Sequence, residues 1–298
     1  MALDIAWITV FHGRDYEFCR ERALVLRAVG IECQLDFRDG FHRLAVPESA
    51  LQRARAELAS YELEASAPPP EVLPVIPPRP GALSGLIGYA ATLLVVAGLQ
   101  TNTAFNVDWL ETGRMQAGLV LQGEWWRTVT ALTLHADIAH LFGNLLMGSV
   151  IGFFAVRLLG PGLAWTTIIV AGAAGNAMNA MIQGAAHNSI GASTAVFAGL
   201  GLVSVYSWTK RRHLRDWAKR TAPLVGGALL LAYTGSGGER TDIVAHLTGF
   251  VAGSGFGYLY ARLASLDPLQ RGAGATILAL AAGLLVPVCW LTALAFST

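Results

Sequence analysis

The alternation of apolar and polar positions changes character near residue 65. Before that point the apolar runs are short. Ile5–Phe11 reads as a strand, and Asp15 is placed to cap a helix in which Phe18, Ala23, Leu26 and Val29 recur at helical spacing until Gly30 stops it. Ile31–Phe37 alternates, Arg38-Asp39-Gly40 supplies a turn, and Phe41–Val46 returns as a second strand of that hairpin. Pro47-Glu48-Ser49 opens another helix with Leu51, Ala54, Leu58 and Tyr61 on one face. The pattern predicts a small soluble α+β domain of order βαββα over residues 1–65, close to the minimum size for independent folding. Residues 66–80 hold seven of the twelve prolines and read as a semi-rigid polyproline linker.

From residue 81 to 298 the pattern is that of a polytopic membrane domain. Seven apolar segments follow one another, at 82–100, 140–157, 162–183, 191–208, 221–235, 243–261 and 274–296, each near the length a bilayer requires. Between the first two lies an amphipathic stretch, 101–139, with Trp109, Trp125 and Trp126. Tryptophan favours the headgroup level, so this stretch is expected to lie in the interface.

Composition agrees, with 54% hydrophobic and only 14% charged residues, against about 25% charged in soluble domains. A net charge of +1 and no basic patch interleaved with aromatics argue against nucleic acid. Cys19, Cys33 and Cys289 have neither metal nor redox spacing and read as small buried hydrophobes. The first residues lack the basic flank and long apolar core of a signal peptide, so targeting is expected from the first spanning helix. Basic residues fix an orientation. Lys210, Arg211, Arg212, Arg215, Lys219 and Arg220 separate the fourth and fifth segments, with Arg157, Arg262 and Arg271 on the same side. The positive-inside rule assigns that side, with the N-terminal domain, to the cytoplasm of a cell-membrane protein. The loops at 184–190 and 236–242 then face outward.

Polar groups inside apolar segments are costly unless they are paired or used. Ser193 in Gly191-Ala192-Ser193-Thr194-Ala195 lies about 25 Å along its helix from Lys210. His246 in Ala245-His246-Leu247-Thr248-Gly249 lies about 24 Å from Arg262, and His140 about 25 Å from Arg157, with Asn144 one turn further in. Three segments thus bring a hydroxyl, an imidazole and a His/Asn pair to one depth near the outer surface. A serine needs a neighbouring base to become a nucleophile, and His246 is the candidate. The oxyanion of an acyl transfer needs donors, which His140 and Asn144 can supply beside the Ser193 backbone N–H. Gly249, Gly253 and Gly257 form a small-residue stripe, with Ala195, Gly199 and neighbouring Ala198 as its expected counterpart in the 191–208 segment.

Trp126-Arg127, His135 through Asn144, the Gly191–Ala195 run and the Ala245–Gly249 run, in that order, resemble the rhomboid intramembrane serine proteases over roughly residues 82–298. The resemblance implies a bundle of six helices plus a seventh C-terminal helix. It implies a dyad of Ser193 as nucleophile and His246 as base, oxyanion support from His140, Asn144 and Gly191, and an interfacial loop held by Trp126, Arg127 and His135. It implies a serine endopeptidase without cofactor or metal, acting in the bilayer on transmembrane protein substrates near their outer ends. The βαββα unit is also similar to the cytoplasmic domain some bacterial members carry.

One position departs from the family's Gly-x-Ser-Gly: Thr194 puts a β-branched side chain after the serine, with narrowed access or altered oxyanion geometry as the expected effect. A pseudoprotease that binds transmembrane helices without cutting them is therefore the alternative. A transporter would show inverted repeats and paired broken helices, which are not seen here. Asp242, four residues before His246, invites a triad, but the resemblance implies a dyad. His12 and His42 read as solvated or packed singles, and His187 and His213 as solvated loop residues. The five-residue spacing of His135 and His140 misses the helical i, i+4 face of a metal pair. Oligomeric state and natural substrate are left open.

Overall fold

A computed structural model describes residues 6–66, 81–235 and 242–296. The chain divides into two compact units, Met1–Pro70 and Glu71–Thr298. Most of the proline-rich linker and most of the loop at 236–242 lie outside the described residues.

The first unit runs β1 (Trp7–Gly13), α1 (Tyr16–Ala28), β2 (Gln34–Arg38), β3 (Phe41–Pro47) and α2 (Leu51–Ser66), the last entered through a 3₁₀ turn. Its antiparallel sheet has order β1-β3-β2. Asp15 caps α1 by accepting from the Glu17 amide at 2.8 Å. Asp39 and Gly40, both at positive φ, close the β2–β3 hairpin. Ala23, Leu26, Ile31, Leu44, Val46, Ala54 and Leu58 form the core. The inward face of α1 differs from expectation at one position. Cys19, one residue on from Phe18, joins Ala23 and Leu26 in the interior, because 19, 23 and 26 share one helix face. Phe18 is 56% exposed, with the Arg22 guanidinium over its ring.

The second unit is helical. Its elements are α3 (Ala82–Thr101), α4 (Trp109–Gly113), β4 (Met115–Gln116), α5 (Ala117–Leu121), α6 (Arg127–Thr130), α7 (Ile138–Leu159), α8 (Pro161–Ile182), β5 (Asn188–Ser189), α9 (Ser193–Lys210), α10 (Trp217–Gly235), α11 (Ile243–Arg262), α12 (Asp267–Gln270) and α13 (Gly272–Phe296). A long helix stands at each of the seven apolar segments. Among the described residues α3, α7 and α13 are long and apolar enough to cross a membrane by length and composition. The other long helices carry more Gly, Asn, Thr or flanking charge, which lowers their hydropathy without shortening them.

The centre of this unit is α9, packed against α7, α8, α10 and α11. Backbone meets backbone there: a side chain at Gly253 would strike the Ala198 carbonyl, and one at Gly257 would lie 2.6 Å from the Leu202 carbonyl. The glycine stripe of α11 therefore faces Thr194, Ala198 and Leu202, not the expected Ala195 and Gly199. Ala195 turns instead to Gly172 of α8, and Gly199 to Ile151 of α7 and Ile168 of α8. With four helices packed around α9, its small residues are divided among α7, α8 and α11.

The 101–139 stretch is more deeply packed than its tryptophans implied. Trp125 is exposed, but Trp109 and Trp126 are buried. Trp109 packs on Trp290 with ring centroids 5.0 Å apart, and Trp126 stacks on Phe296 at 4.8 Å. Aromatic partners on α13 draw both indoles inward. Arg127 donates to the Glu111 and Arg114 carbonyls at 2.9 and 3.0 Å and pairs with Glu124, tying α4 to α6.

Candidate active site

Ser193 is the first residue of α9, and the chain reaches it through Gly191 at φ +124°. That conformation favours glycine. Space demands glycine as well, since a Cβ there would lie 2.7 Å from both Cε1 and Nε2 of His140 and 3.6 Å from Ser193 Oγ. The His140 ring edge thus closes over the turn that presents the serine. The Gly191 amide donates to the Ala131 carbonyl at 2.9 Å, anchoring the turn from its other side.

His246 stands in the first turns of α11. Its Nε2 is 2.9 Å from Ser193 Oγ, a distance at which the imidazole can take the hydroxyl proton. The His246 side chain is buried while Ser193 is partly exposed. The Phe197 ring lies against the imidazole, centroids 4.4 Å apart, and fixes its plane. Sequence reading passed over Phe197. Its signal was its place four residues after Ser193, on the same helix face.

Asn144 is buried one turn along α7 from His140, and its amide donates back to the His140 carbonyl at 3.1 Å. The His135 and His140 rings stand edge to face at 5.1 Å. Burial, with His140 beside it, pushes the His135 imidazole down to about 4. Gly191, Ser193, His246 and His140 therefore converge. His135 borders them. Trp126 and Arg127 serve the packing described above.

Thr194 does not face the serine's open side. It is 2% exposed, and its γ-methyl fills the notch where Gly175 of α8 meets Gly249 of α11. The side chain expected to crowd the site is instead a spacer between three helices.

Asp242 caps α11, accepting from the Ala245 amide at 3.0 Å. Its other oxygen accepts from Asn179 Nδ2 and meets His187 Nε2, each at 2.8 Å. His187, expected to be solvated, is half-buried by this contact. Burial pushes the Asp242 carboxyl up, but the bonds from Ala245, His187, Ser189 and Asn179 outweigh it and hold it below its ordinary 3.8.

The Rhomboid domain family matches residues 122–263. Among similar proteins, the rhomboid protease GluP of Bacillus subtilis (strain 168) is 33% identical over 120 residues, 40% of this chain and 23% of that one. Rhomboid-like protease 1 of Toxoplasma gondii is 30% identical over 178 residues, 58% of this chain and 60% of that one. Rhomboid-like protease 3 of the same organism is 35% identical over 133 residues, 43% and 49% of the two chains. The match thus spans less than two thirds of each of these relatives.

Proposed function

We propose, for a chain that belongs to the rhomboid family through its domain at residues 122–263, a serine endopeptidase that cuts transmembrane segments of other membrane proteins through a Ser193–His246 dyad. The single observation that carries this reading is the 2.9 Å approach of His246 Nε2 to Ser193 Oγ at a helix N-terminus. In the proposed reaction Ser193 Oγ attacks the scissile carbonyl while His246 takes its proton. The oxyanion is met by the Ser193 backbone N–H and the His140 side chain, with Asn144 supporting and Gly191 leaving room for the imidazole. His246 then returns the proton to the leaving amine, and an acyl-enzyme remains. Water enters, His246 removes its proton, and hydrolysis frees Ser193.

Substrates would present a locally unwound segment, because helical hydrogen bonding shields the carbonyl. Helix-weakening residues near the cut would help. Seven spans, with the N-terminal unit cytoplasmic and the site toward the outer face of the cell membrane, are the topology we infer from the basic loops.

The pseudoprotease reading weakens for two reasons. The relatives are named proteases, and the Thr194 side chain that motivated it is buried between helices. The test uses full-length protein in liposomes with a transmembrane substrate and a serine-directed fluorophosphonate. Wild type is expected to cleave and label. Ser193→Ala and His246→Ala are expected to lose at least about a thousandfold in rate. Cleavage by Ser193→Ala at the wild-type rate would overturn the assignment.

A further inference from the structure

The nucleophile and the base come from segments far apart in sequence, and their 2.9 Å contact is only as good as the register between them. Ser193 is delivered by the loop that follows α8. That loop is pinned along the 115–131 region, where Met115 and Gln116 pair with Ser189 and Asn188, and the Ala117 amide donates to the His187 carbonyl at 2.9 Å. His246 is delivered by the first turns of α11. Two of its local supports end on one residue, since the Ala245 amide meets the Asp242 carboxylate and the His246 amide donates to the Asp242 carbonyl at 3.1 Å.

Asp242 touches both segments. One carboxylate oxygen caps the base helix, and the other binds His187 of the nucleophile loop and Asn179 of α8. Asn179 is fully buried, and a buried amide donor is retained at low cost only where an acceptor waits. Severing one member leaves the others partly unsatisfied, so the three act as a unit.

We propose that Asp242, His187 and Asn179 form a positioning cluster that holds the helix carrying His246 in register with the loop carrying Ser193. The cluster acts from the helix cap, and it rests on the peptidase reading above for its effect on rate.

The test compares Asp242→Ala, Asp242→Asn, His187→Ala, His187→Gln and the Asp242→Ala/His187→Ala pair in full-length protein, with rates referred to folded molecules. Misplacing a reacting group by about an ångström costs up to about a hundredfold. The alanine variants are therefore expected to lose roughly ten- to a hundredfold in kcat with KM held within about twofold. The pair should lose no more than Asp242→Ala alone, as residues of one network do. Asp242→Asn still accepts from the Ala245 amide but turns an amide N–H toward Asn179 and His187, so it should lose nearly as much as Asp242→Ala, whereas His187→Gln still donates and should recover most of the loss. Losses that add, that fall on KM alone, or that appear only as lowered melting temperature would overturn the proposal.

Hydrogen exchange over residues 243–249 is read in the same samples. His187→Ala should accelerate it although the altered residue lies in another segment. Unchanged exchange also overturns the proposal. A wild type that neither cleaves nor labels would sink the peptidase reading instead, and exchange would then decide the cluster by itself.

Discussion

The two units of this chain both bury apolar side chains, but they differ in the polar groups buried beside them. In residues 6–66 the interior is Leu26, Ile31, Leu44, Val46 and Leu58, and the charges face out. Its one buried guanidinium, Arg22, lies over Phe11 at 4.3 Å and pairs with Glu62. In residues 81–235 and 242–296 the interior holds Asn144, Asn176, Asn179, Thr130, Thr133, Thr194 and His246 beside its apolar core, while Leu146, Phe154, Leu280, Leu284 and Leu291 lie outside. Water drives apolar side chains together, but lipid is as apolar as leucine and offers no such drive. What joins helices in lipid is close backbone approach and hydrogen bonds across the gap. Examples are Asn176 Nδ2 to the Thr128 carbonyl at 2.8 Å and Thr130 Oγ1 to the Gly113 carbonyl at 2.7 Å. The hydroxyl and imidazole proposed as a dyad fit such an interior without special provision.

The contrast breaks most readily at the glycines. Gly253→Leu places a side chain on the Ala198 carbonyl, so it should separate α9 from α11 and abolish both folded yield and fluorophosphonate labelling. Gly255 of the same helix has open space around it. Gly255→Leu should leave yield and labelling near wild type. Equal losses would mean that composition, not backbone approach, holds these helices.

A smaller effect compares leucines. Leu44 is wholly buried in the first unit, and Leu44→Ala should cost about 2–5 kcal/mol in denaturant unfolding of that unit. Leu284 of α13 is 58% exposed, and Leu284→Ala should shift thermal unfolding in liposomes little. A large loss at Leu284 would show a protein contact where lipid is inferred.

The smallest effect is one of pH. The His135 imidazole is buried and held down at about 4, against about 6.5 in an unfolded chain. Between those values the unfolded chain binds the extra proton, so stability falls as pH drops from 6.5 toward 4 and is level above. His135→Gln should flatten the corresponding decline in melting temperature, by several degrees at the acid end. An unchanged decline would place its origin elsewhere.

Legibility followed the same division. In the first unit, spacing located the elements, and the inward face of α1 slipped only at Cys19 and Phe18, where one residue of phase is all that separates two faces. In the second, the seven apolar runs were plain, because a long apolar helix announces itself by length, and among the described residues three of them are long and apolar enough to cross a membrane. Which face of each run turns inward was not, and the Ala195–Gly199 strip was assigned to α11 when it serves α7 and α8. Ser193, His246 and His140 stood out as polar groups in apolar company. Phe197, an ordinary apolar residue in an apolar helix, gave no such sign.

The sequence by itself determined the two-unit pattern, the long helices and which polar residues sit within them, because each depends on near neighbours along the chain. Only the tertiary structure decided that Thr194 fills a notch between Gly175 and Gly249, and that Asp242 reaches His187 and Asn179. It also decided that Ser193 Oγ lies 2.9 Å from His246 Nε2. Those facts depend on how helices rotate and slide against one another, and rotation in a lipid-like interior is set by shape and hydrogen bonds between segments that are distant in sequence.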